Sequence, residues 1–458
     1  MKPVVNVVVG AKLPQSYRRE FMLKNPLRLV LHDSSRNVWF RFEDIERSVG
    51  TKLDALVKDL LDIAVAIYLS DRCVKRTSNL EREISILIPV RNPEKWNQVK
   101  ATLVQAVSFL IQNDFDIHFI QGDNEPSKFE AYELKDSEDC VCLLSGGLDS
   151  VAGALWLVKT GRNPFLVSHW SSGKLKGFQD DVATFLNSEF KKSFMHCQVK
   201  IQKSDKKARF KLRKVREKQM IQFSRSFLYL SLASAVALTL KLKDVYICEN
   251  GPIALNVPTS ESRLNTRTAH PRFLDLYGRL TNEVFGVRLS VTNPFLYDTK
   301  AAVVSKIDTP KLAKLVRISC SCWKYWCVKN IAKQKGRIGF VGSHCGECYP
   351  CVMRRIAVNS AGLSSFDDDY LVKVFEDYPP EDREAITLIA DLLRFAHDLK
   401  VLSVEEILVK YPDFSVDVED VDPVKLVEMY KQFANETIGT FKELGNNILK
   451  QKYGFLLE

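Results

Sequence analysis

A six-residue segment, Ser145-Gly-Gly-Leu-Asp-Ser150, carries the groups that bind a phosphate chain. It follows an apolar run that predicts a buried strand, and it precedes an apolar spacing typical of a helix. The glycines let the backbone turn sharply and approach an anion, and the helix directs unpaired N–H groups and its positive dipole end at the same point. The serines add hydroxyl donors, and Asp149 can hold a cation or orient the phosphates. The segment lacks the spacing and the Lys-Ser/Thr of a Walker A loop, so it predicts a nucleotide-binding loop of another type.

A candidate metal site lies near residue 350, where Cys345, Cys348 and Cys351 follow one another at C-x2-C spacing. This spacing wraps three thiolates around one point, and zinc needs a fourth ligand. An iron–sulfur run with similar spacing has its fourth cysteine at the position held here by Arg355, so zinc is favoured. A closed site of four thiolates is structural. The candidates for the fourth thiolate are Cys320, Cys322 and Cys327.

The composition is that of a globular protein with several domains. The chain has 458 residues, of which 46% are hydrophobic and 27% charged, and its length suggests about three domains. Its first ten residues are too short for a membrane span and lack a signal-peptide pattern, so we expect no membrane partner. Eleven cysteines without a secretory signal predict a reducing cytoplasm.

The net charge of +10 is concentrated in the segment Lys191–Lys218. Such a block is typical either of a solvated segment or of a contact with nucleic acid or phosphate. Only Phe194 and Phe210 interleave with its basic residues, which leaves few rings on which bases could stack. A nucleic-acid partner is therefore possible but not favoured.

The hydrophobic periodicity divides the chain into three regions. Residues 1–138 predict an N-terminal α/β unit, 139–363 an alternation of strands and helices, and 364–458 a helical C-terminal region. Strict alternation implies a doubly wound parallel sheet whose ligand lies at the carboxyl ends of the strands. Ser168 and His169, at the end of a predicted strand, are then candidates to contact adenine and ribose, although His169 is also typical of a packed histidine. Single helices are predicted at Trp96–Leu110 and Tyr370–Phe375.

The two motifs together resemble those of the QueC family, the 7-cyano-7-deazaguanine synthases, which are PP-loop ATP pyrophosphatases. The resemblance covers about residues 140–363 and implies a Rossmann-like PP-loop (adenine nucleotide alpha-hydrolase) parallel-sheet domain. It implies that ATP is bound by Ser145, Gly146, Gly147, Leu148, Asp149 and Ser150. It also implies a zinc site formed by Cys345, Cys348, Cys351 and the cysteine of a Ser-Cys pair. Cys320 is our choice for that cysteine, with Cys322, which also follows a serine, as the alternative.

The chain also departs from the family. Ser226 stands where the family has Asn, and the family's substrate stretch is replaced by Arg267-Thr-Ala-His-Pro-Arg272. The additional terminal regions resemble the longer QueC-like proteins of bacterial anti-phage defence, the QatC type and its CBASS relatives, whose amine acceptor is thought to be a partner protein. Arg225 and Lys300 are candidates to neutralise phosphate charge. The candidates for substrate binding are Glu249, Asn256, Arg267 and His270.

The resemblance implies an ATP-dependent C–N ligase that uses ATP, Mg²⁺ and Zn²⁺. Such an enzyme adenylates a 7-carboxy-7-deazaguanine-like carboxylate, releases AMP and pyrophosphate, and forms an amide or nitrile, here with a partner protein of the defence system as acceptor. The alternatives are a small-molecule 7-cyano-7-deazaguanine synthase, a tRNA-modifying sulfurtransferase or lysidine-type ligase, and a non-catalytic scaffold that keeps ATP. We further expect Ser145 and Asp149 to lie at the surface, so that replacing either would remove activity without lowering the melting temperature.

Overall fold

The computed structural model describes residues 4–10, 26–32, 34–74, 82–123, 129–133, 138–204, 208, 210–212, 223–259 and 266–457. Much of the basic segment Lys191–Lys218 (205–207, 209 and 213–218) lies outside the described residues. The proposed nucleic-acid contact of that segment therefore stays a prediction. The described part of the chain forms two parallel sheets, one short antiparallel pair and a C-terminal set of helices.

The N-terminal region forms a four-stranded parallel sheet in the order β2-β1-β4-β5. The strands of this region are β1 (Val4–Val9), β2 (Leu27–Leu29), β3 (Val38–Trp39), β4 (Glu83–Val90) and β5 (Asp114–Gln121). The helices are α1 (Glu43–Val49), α2 (Ala55–Cys73), α3 (Pro93–Gln98) and α4 (Lys100–Ile111). The single helix predicted at Trp96–Leu110 is two helices, because the backbone leaves the helical conformation at Val99 (φ −102°, ψ 7°).

A second parallel sheet has five strands in the order β11-β10-β6-β7-β8. The strands are β6 (Cys140–Leu143), β7 (Pro164–Trp170), β8 (His196–Lys200), β9 (Gln202–Lys203), β10 (Asp244–Tyr246) and β11 (Ser290–Thr292), of which β9 pairs with β3 instead. The helices that alternate with them are α5 (Leu148–Lys159), α6 (Gly173–Phe190), α7 (Arg225–Thr239), α8 (Gly251–Leu255) and α9 (Pro271–Phe285). The strand order reverses between β6 and β10, and in open parallel sheets such a reversal opens a ligand crevice at the carboxyl ends of the strands.

Helices cover both faces of this second sheet. On one face α7 packs against α2, and a continuous hydrophobic core joins Phe227 of α7 to Ile67 of α2 and to Val141 of β6. On the other face the buried residues of α5 and α6 form a separate core, which includes Leu155 and Val182. The N-terminal region and the second sheet thus share a core, which an alternating sequence pattern does not reveal. The domain boundaries at 138 and 363 remain predictions.

The rest of the chain is helical. Its helices are α10 (Lys300–Val304), α11 (Lys314–Ile318), α12 (Val328–Gln334), α13 (Tyr349–Ser360), α14 (Arg383–Val401), α15 (Val404–Lys410), α16 (Pro423–Leu444) and α17 (Asn447–Leu457), with 3-10 turns at Ser364–Phe366 and Pro412–Phe414. The buried faces of α14, α16 and α17 form one core. Local signals fix several ends: Ser403 and Glu406 form a capping box for α15, and the Asp422 carboxylate caps α16.

The helix predicted at Tyr370–Phe375 is wrong. This segment pairs its backbone with the cysteine-rich segment instead, since the N–H of Leu371 donates to the carbonyl of His344 and that of Val372 to the carbonyl of Cys345. Backbone donors used in this way cannot close a helical turn. Among the helices of the described residues, none has the length and apolar character that crossing a bilayer requires.

Candidate functional site

The loop Ser145–Ser150 lies at the point where the strand order reverses. It directly follows β6, and the segment Cys248–Asn250 follows the neighbouring strand β10. Because the strands are parallel, both segments leave the sheet at the same edge. The predicted nucleotide loop therefore occupies the crevice in which doubly wound folds bind ligands.

Hydrogen bonds within the loop fix its shape. The Ser150 hydroxyl donates to the Gly147 carbonyl (2.9 Å) and accepts from the Ser145 N–H (3.1 Å), and the two serine oxygens lie 2.9 Å apart. Gly146 has φ +84°, in the left-handed region that favours glycine, and the Cys320 N–H donates to its carbonyl (2.8 Å). The first turn of α5 leaves backbone N–H groups without helical acceptors. Since each hydroxyl has one hydrogen and both are used within the loop, the serines fix the shape of the loop rather than offer free donors to an anion.

Asp149 is the most constrained acidic residue of the site. One carboxylate oxygen, Oδ2, forms a buried ion pair with Lys300 and accepts from the Asn250 amide (3.1 Å). The other, Oδ1, is buried without a hydrogen-bond partner among the described residues. The expected surface position is wrong for Asp149, which is only 8% exposed, because a residue 151 positions away in sequence packs against it.

The C-terminal region helps to position Lys300. Thr299 caps α10 with its side-chain oxygen, and its hydroxyl donates to the Glu436 carboxylate of α16 (2.6 Å). The phenol of Tyr430, also in α16, donates to the Pro252 carbonyl (3.2 Å) next to Asn250. The residues that hold Asp149 thus rest on the C-terminal helices, a region in which the sequence shows no chemistry.

Glu249 borders the same site between β10 and Asn250. Burial, together with the negative charge of Asp149, raises the pKa of its carboxyl group to about 7, and the positive charges of Lys300 and Arg225 oppose the shift. The side-chain amide of Asn293 fixes the backbone of Glu249. Its oxygen accepts from the Glu249 N–H (3.2 Å), and its nitrogen donates to the Glu249 carbonyl (2.8 Å). A carboxyl group that is partly protonated near neutral pH can either donate or accept a hydrogen bond.

Glu249→Gln is expected to remove a pH dependence from the stability of the protein. A carboxyl group whose pKa is raised on folding stabilises the fold at low pH, and this contribution is lost as the pH rises through about 7. At about 1.4 kcal/mol per pKa unit, ionised Glu249 lowers the free energy of unfolding by about 3 kcal/mol. In denaturant unfolding without ligands, the variant should match the native protein near pH 4, below the ordinary carboxyl pKa of 4.5, and exceed its stability near pH 8. An equal difference at both pH values would contradict this assignment.

Arg225 is exposed and begins α7, with its guanidinium 5.5 Å from the centre of the Tyr229 ring. The tyrosine side chain and Glu249 raise the pKa of the guanidinium, which therefore keeps its charge. Among the described residues, Arg225 forms no ion pair shorter than 4 Å. Its charge is thus available to a ligand. Ser226, where the QueC family has Asn, is buried and its hydroxyl has no partner in the described part of the chain.

Ser168 and His169 are both buried in β7. The Ser168 hydroxyl donates to the carbonyl of Leu144, one residue before the loop (2.5 Å), and lies 2.8 Å from the ring of His196. His169 bonds through Nε2 to the Ile201 carbonyl (3.1 Å), and burial lowers its pKa to about 4, so its ring is neutral at pH 7. The structural role of Ser168 is to hold the end of β6, and contact of either residue with a nucleotide stays a prediction.

The remaining substrate-binding candidates make contacts away from the loop. The Asn256 amide donates to the Thr266 carbonyl (2.9 Å). Arg267 stacks on Phe109 of α4 at 4.3 Å and donates to its carbonyl. His270 caps α9, packs against the same phenylalanine, and has its pKa lowered to about 3 by burial and by two neighbouring arginines. These contacts join Arg267 and His270 to the N-terminal region, and their role toward a substrate remains a prediction.

Four cysteines form the candidate metal centre. The sulfur atoms of Cys322, Cys345, Cys348 and Cys351 all lie within 4.8 Å of one another, and all four residues are buried. Two sulfur pairs are 3.9 Å apart, far beyond a disulfide but close to the ~3.8 Å edge of a zinc tetrahedron with 2.3 Å bonds. Hydrogen bonds from the other three thiols lower the pKa of Cys345 and favour its thiolate. The donor set fits a zinc ion.

The fourth cysteine is Cys322, so the choice of Cys320 is corrected. The backbone of Cys320 is bound to Gly146 of the Ser145–Ser150 loop, and burial raises the pKa of its thiol to about 12. Two residues later the chain has turned, and the Cys322 sulfur accepts from the Cys345 N–H (3.4 Å). Both cysteines follow a serine, so the sequence pattern could not separate them.

Arg354 joins the candidate metal centre to the Ser145–Ser150 loop. It lies in α13 three residues after Cys351, is fully buried, and forms an ion pair with Asp367. It donates to the Ser319 carbonyl (3.3 Å) and hydroxyl (3.0 Å), immediately before the residue that binds Gly146. A continuous set of hydrogen bonds therefore connects the helix that carries Cys351 to the loop.

Sequence reasoning missed Asn250 and the support given by Thr299. The signal for Asn250 is local: an Asn followed by Gly and Pro is typical of a helix start, and Asn250 does cap α8. No local signal shows that the amide of this residue also reaches Asp149. No protein-family model matches this chain, and no curated protein is similar to it.

Proposed function

We propose that this protein is a QueC-like PP-loop enzyme that uses ATP to adenylate a carboxylate and then transfers the acyl group to an amine. The observation that supports this most is the Ser145–Ser150 loop at the strand-order reversal, with Asp149 held there by Lys300 and Asn250. Parallel sheets bind nucleotides at this position, and a glycine-rich loop before a helix suits a polyphosphate.

The chain supplies the groups that adenylation needs. The loop N–H groups and the start of α5 would bind the departing pyrophosphate, and Arg225 would neutralise charge that develops on the phosphates. The carboxylate oxygen of the substrate attacks the α-phosphorus, the bond to the β-phosphate oxygen breaks, and pyrophosphate leaves. Lys300 acts mainly by holding Asp149 in place, since its ammonium group is already paired.

Asp149 is the residue that fits a magnesium ion. Its Oδ1 is a buried carboxylate oxygen without a hydrogen-bond partner among the described residues, and hard cations prefer such oxygens. When bound, Mg²⁺ would neutralise phosphate charge. Zinc at the four cysteines would be structural, because four thiolates leave no coordination position for a substrate.

In the second step an amine nitrogen would attack the acyl carbon of the adenylate, and AMP would leave with the oxygen. We propose a 7-carboxy-7-deazaguanine-like acid as the carboxylate and an amine of a partner protein as the acceptor, in a cytoplasmic anti-phage system. Glu249 at the crevice would bind a polar edge of the acid. A small-molecule nitrile synthase would instead use ammonia, and it would then have to remove the oxygen of the resulting amide, which requires a second activation by ATP.

A tRNA-modifying enzyme is the second candidate, because cations and tryptophans lie together near the start of the basic segment. Arg36, Arg41 and Lys200 lie over the Trp39 ring at 4.7, 5.5 and 4.8 Å, and Lys200 also lies 5.0 Å from the centre of the Trp170 ring. Aromatic and cationic groups together suit RNA. A sulfurtransferase would in addition need a reactive cysteine pair or an iron–sulfur cluster.

The purified protein is expected to convert ATP to AMP and pyrophosphate only when the carboxy-deazaguanine is present. Products would be followed by chromatography, and transfer by mass spectrometry of co-expressed neighbouring proteins. An added base on one of these proteins supports the ligase, whereas free nitrile indicates the small-molecule synthase. AMP formation that depends on tRNA rather than on the acid would favour the second candidate. No AMP with any of these substrates would contradict adenylation.

A further inference from the structure

The turn that follows Cys322 exposes two large aromatic side chains. Trp323 is 58% exposed and Trp326 is 50% exposed, and neither has a ring or cation contact within the described part of the chain. Farther along the same cysteine-bearing segment, Ile338 is 89% and Val341 73% exposed. We call these four side chains the knuckle surface. Exposed apolar side chains grouped on one segment are typical of interaction sites, and tryptophan is enriched among the residues that dominate binding.

The same turn also borders the proposed active site. Tyr325 lies between the two tryptophans in sequence, and its hydroxyl is 3.0 Å from that of Ser172, the residue that caps α6 after β7. Its carbonyl accepts from Lys174 (2.7 Å), and its phenol is one of the groups that raise the pKa of the Arg225 guanidinium. The tryptophan-bearing turn of the knuckle surface is therefore next to the crevice, within reach of a protein bound there.

The exposed charges of the same chain segment indicate what the knuckle surface binds. Lys329, Lys333 and Arg337 are exposed, and none forms an ion pair with another described residue. Lys324 and Lys335 are instead paired with Asp382 and Glu381. Unpaired cations around apolar side chains complement a segment that has apolar anchors and acidic residues. Trp323 and Trp326 offer flat rings to a base as well, but the highly exposed Ile338 and Val341 offer only aliphatic surface, which an apolar protein segment covers and a base does not.

We propose that the knuckle surface docks an acidic, apolar segment of the acceptor protein and so brings its amine to the crevice. That the docked protein is the acceptor of the acyl group rests on the proposed function. The docking itself does not, because it requires neither ATP nor chemistry.

Selection from a library of short random peptides with free amino termini tests the docking. The full-length protein is immobilised without ATP, in parallel with a Trp323→Ala/Trp326→Ala variant and a Phe455→Ala control. Phe455 is 68% exposed on α17 and belongs to no proposed site. Acidic peptides with apolar residues should be enriched on the native protein and on the control. Their affinity should fall at least about tenfold in the double variant.

Four outcomes would overturn the proposal. The first two are that no peptide is enriched on the native protein, and that the selected peptides bind the double variant equally well. The third is that a single-stranded oligonucleotide binds the native protein more tightly than any peptide does. The fourth is that the native protein forms a concentration-dependent dimer that only the double variant loses. Circular dichroism and metal content of the double variant, expected to be native, show that the loss is local. AMP formation from ATP and the free acid is measured separately, so a failure of the docking and a failure of adenylation are distinguishable.

Discussion

Asp149→Ala is expected to reduce AMP formation at least about a hundredfold and to lower the free energy of unfolding by about 3–5 kcal/mol. The loss of activity follows from its position in the proposed nucleotide loop. The loss of stability follows from burial, because the ammonium group of Lys300, whose side chain is 7% exposed, would lose its carboxylate partner. Product analysis and denaturant unfolding measure the two effects separately.

A double-mutant cycle separates the ion pair from the chemistry. Asp149→Ala/Lys300→Met removes both charges and should recover part of the stability without recovering AMP formation. Asp308→Ala is a matched control, because Asp308 also pairs with a lysine, Lys159, but is 52% exposed. It should cost less than about 1 kcal/mol and leave activity intact. If Asp149→Ala turned over ATP at the native rate, the proposed site would be wrong.

Cys322→Ser should abolish binding of the metal, whereas Cys320→Ser should retain it at about one ion per chain. The sulfur of Cys322 is one of the four that lie within 4.8 Å of one another. On the order of 10 kcal/mol of folding free energy is available from a structural zinc ion, so its loss should unfold the segment around it. Elemental analysis gives the metal content, and limited proteolysis between residues 320 and 351 reports the unfolding.

Loss of the metal should also weaken ATP binding. The Cys320 N–H holds the Gly146 carbonyl, and Arg354 holds the residues just before Cys320, so unfolding of this segment releases the loop. A strong chelator added to the native protein should produce the same two effects, which covers the case in which Cys322→Ser does not fold. Iron in place of zinc would favour a sulfurtransferase. A metal-free protein that is folded and binds ATP normally would refute the coupling.

Local sequence determined the parts of the site that form within a few residues. A buried strand, a glycine-rich turn and a helix start need only neighbouring residues, so Ser145–Ser150 could be predicted with its flanking elements. The same holds for the thiols of Cys345, Cys348 and Cys351, whose spacing alone brings them together. The α/β class followed from the alternation of strands and helices, and the structure confirms it with two parallel sheets.

The tertiary structure decided which distant residues meet. Asp149 and Lys300 were separate candidates in the sequence, and their burial as a pair depends on α10 packing beside the loop. The choice between Cys320 and Cys322 depends on which backbone group Gly146 binds. The segment Tyr370–Phe375 has helical spacing but gives backbone donors to the cysteine-rich segment. The physical reason is common to all three. Secondary-structure propensities contribute less than about 1 kcal/mol per residue, and hydrogen bonds, ion pairs and burial between residues distant in sequence outweigh them.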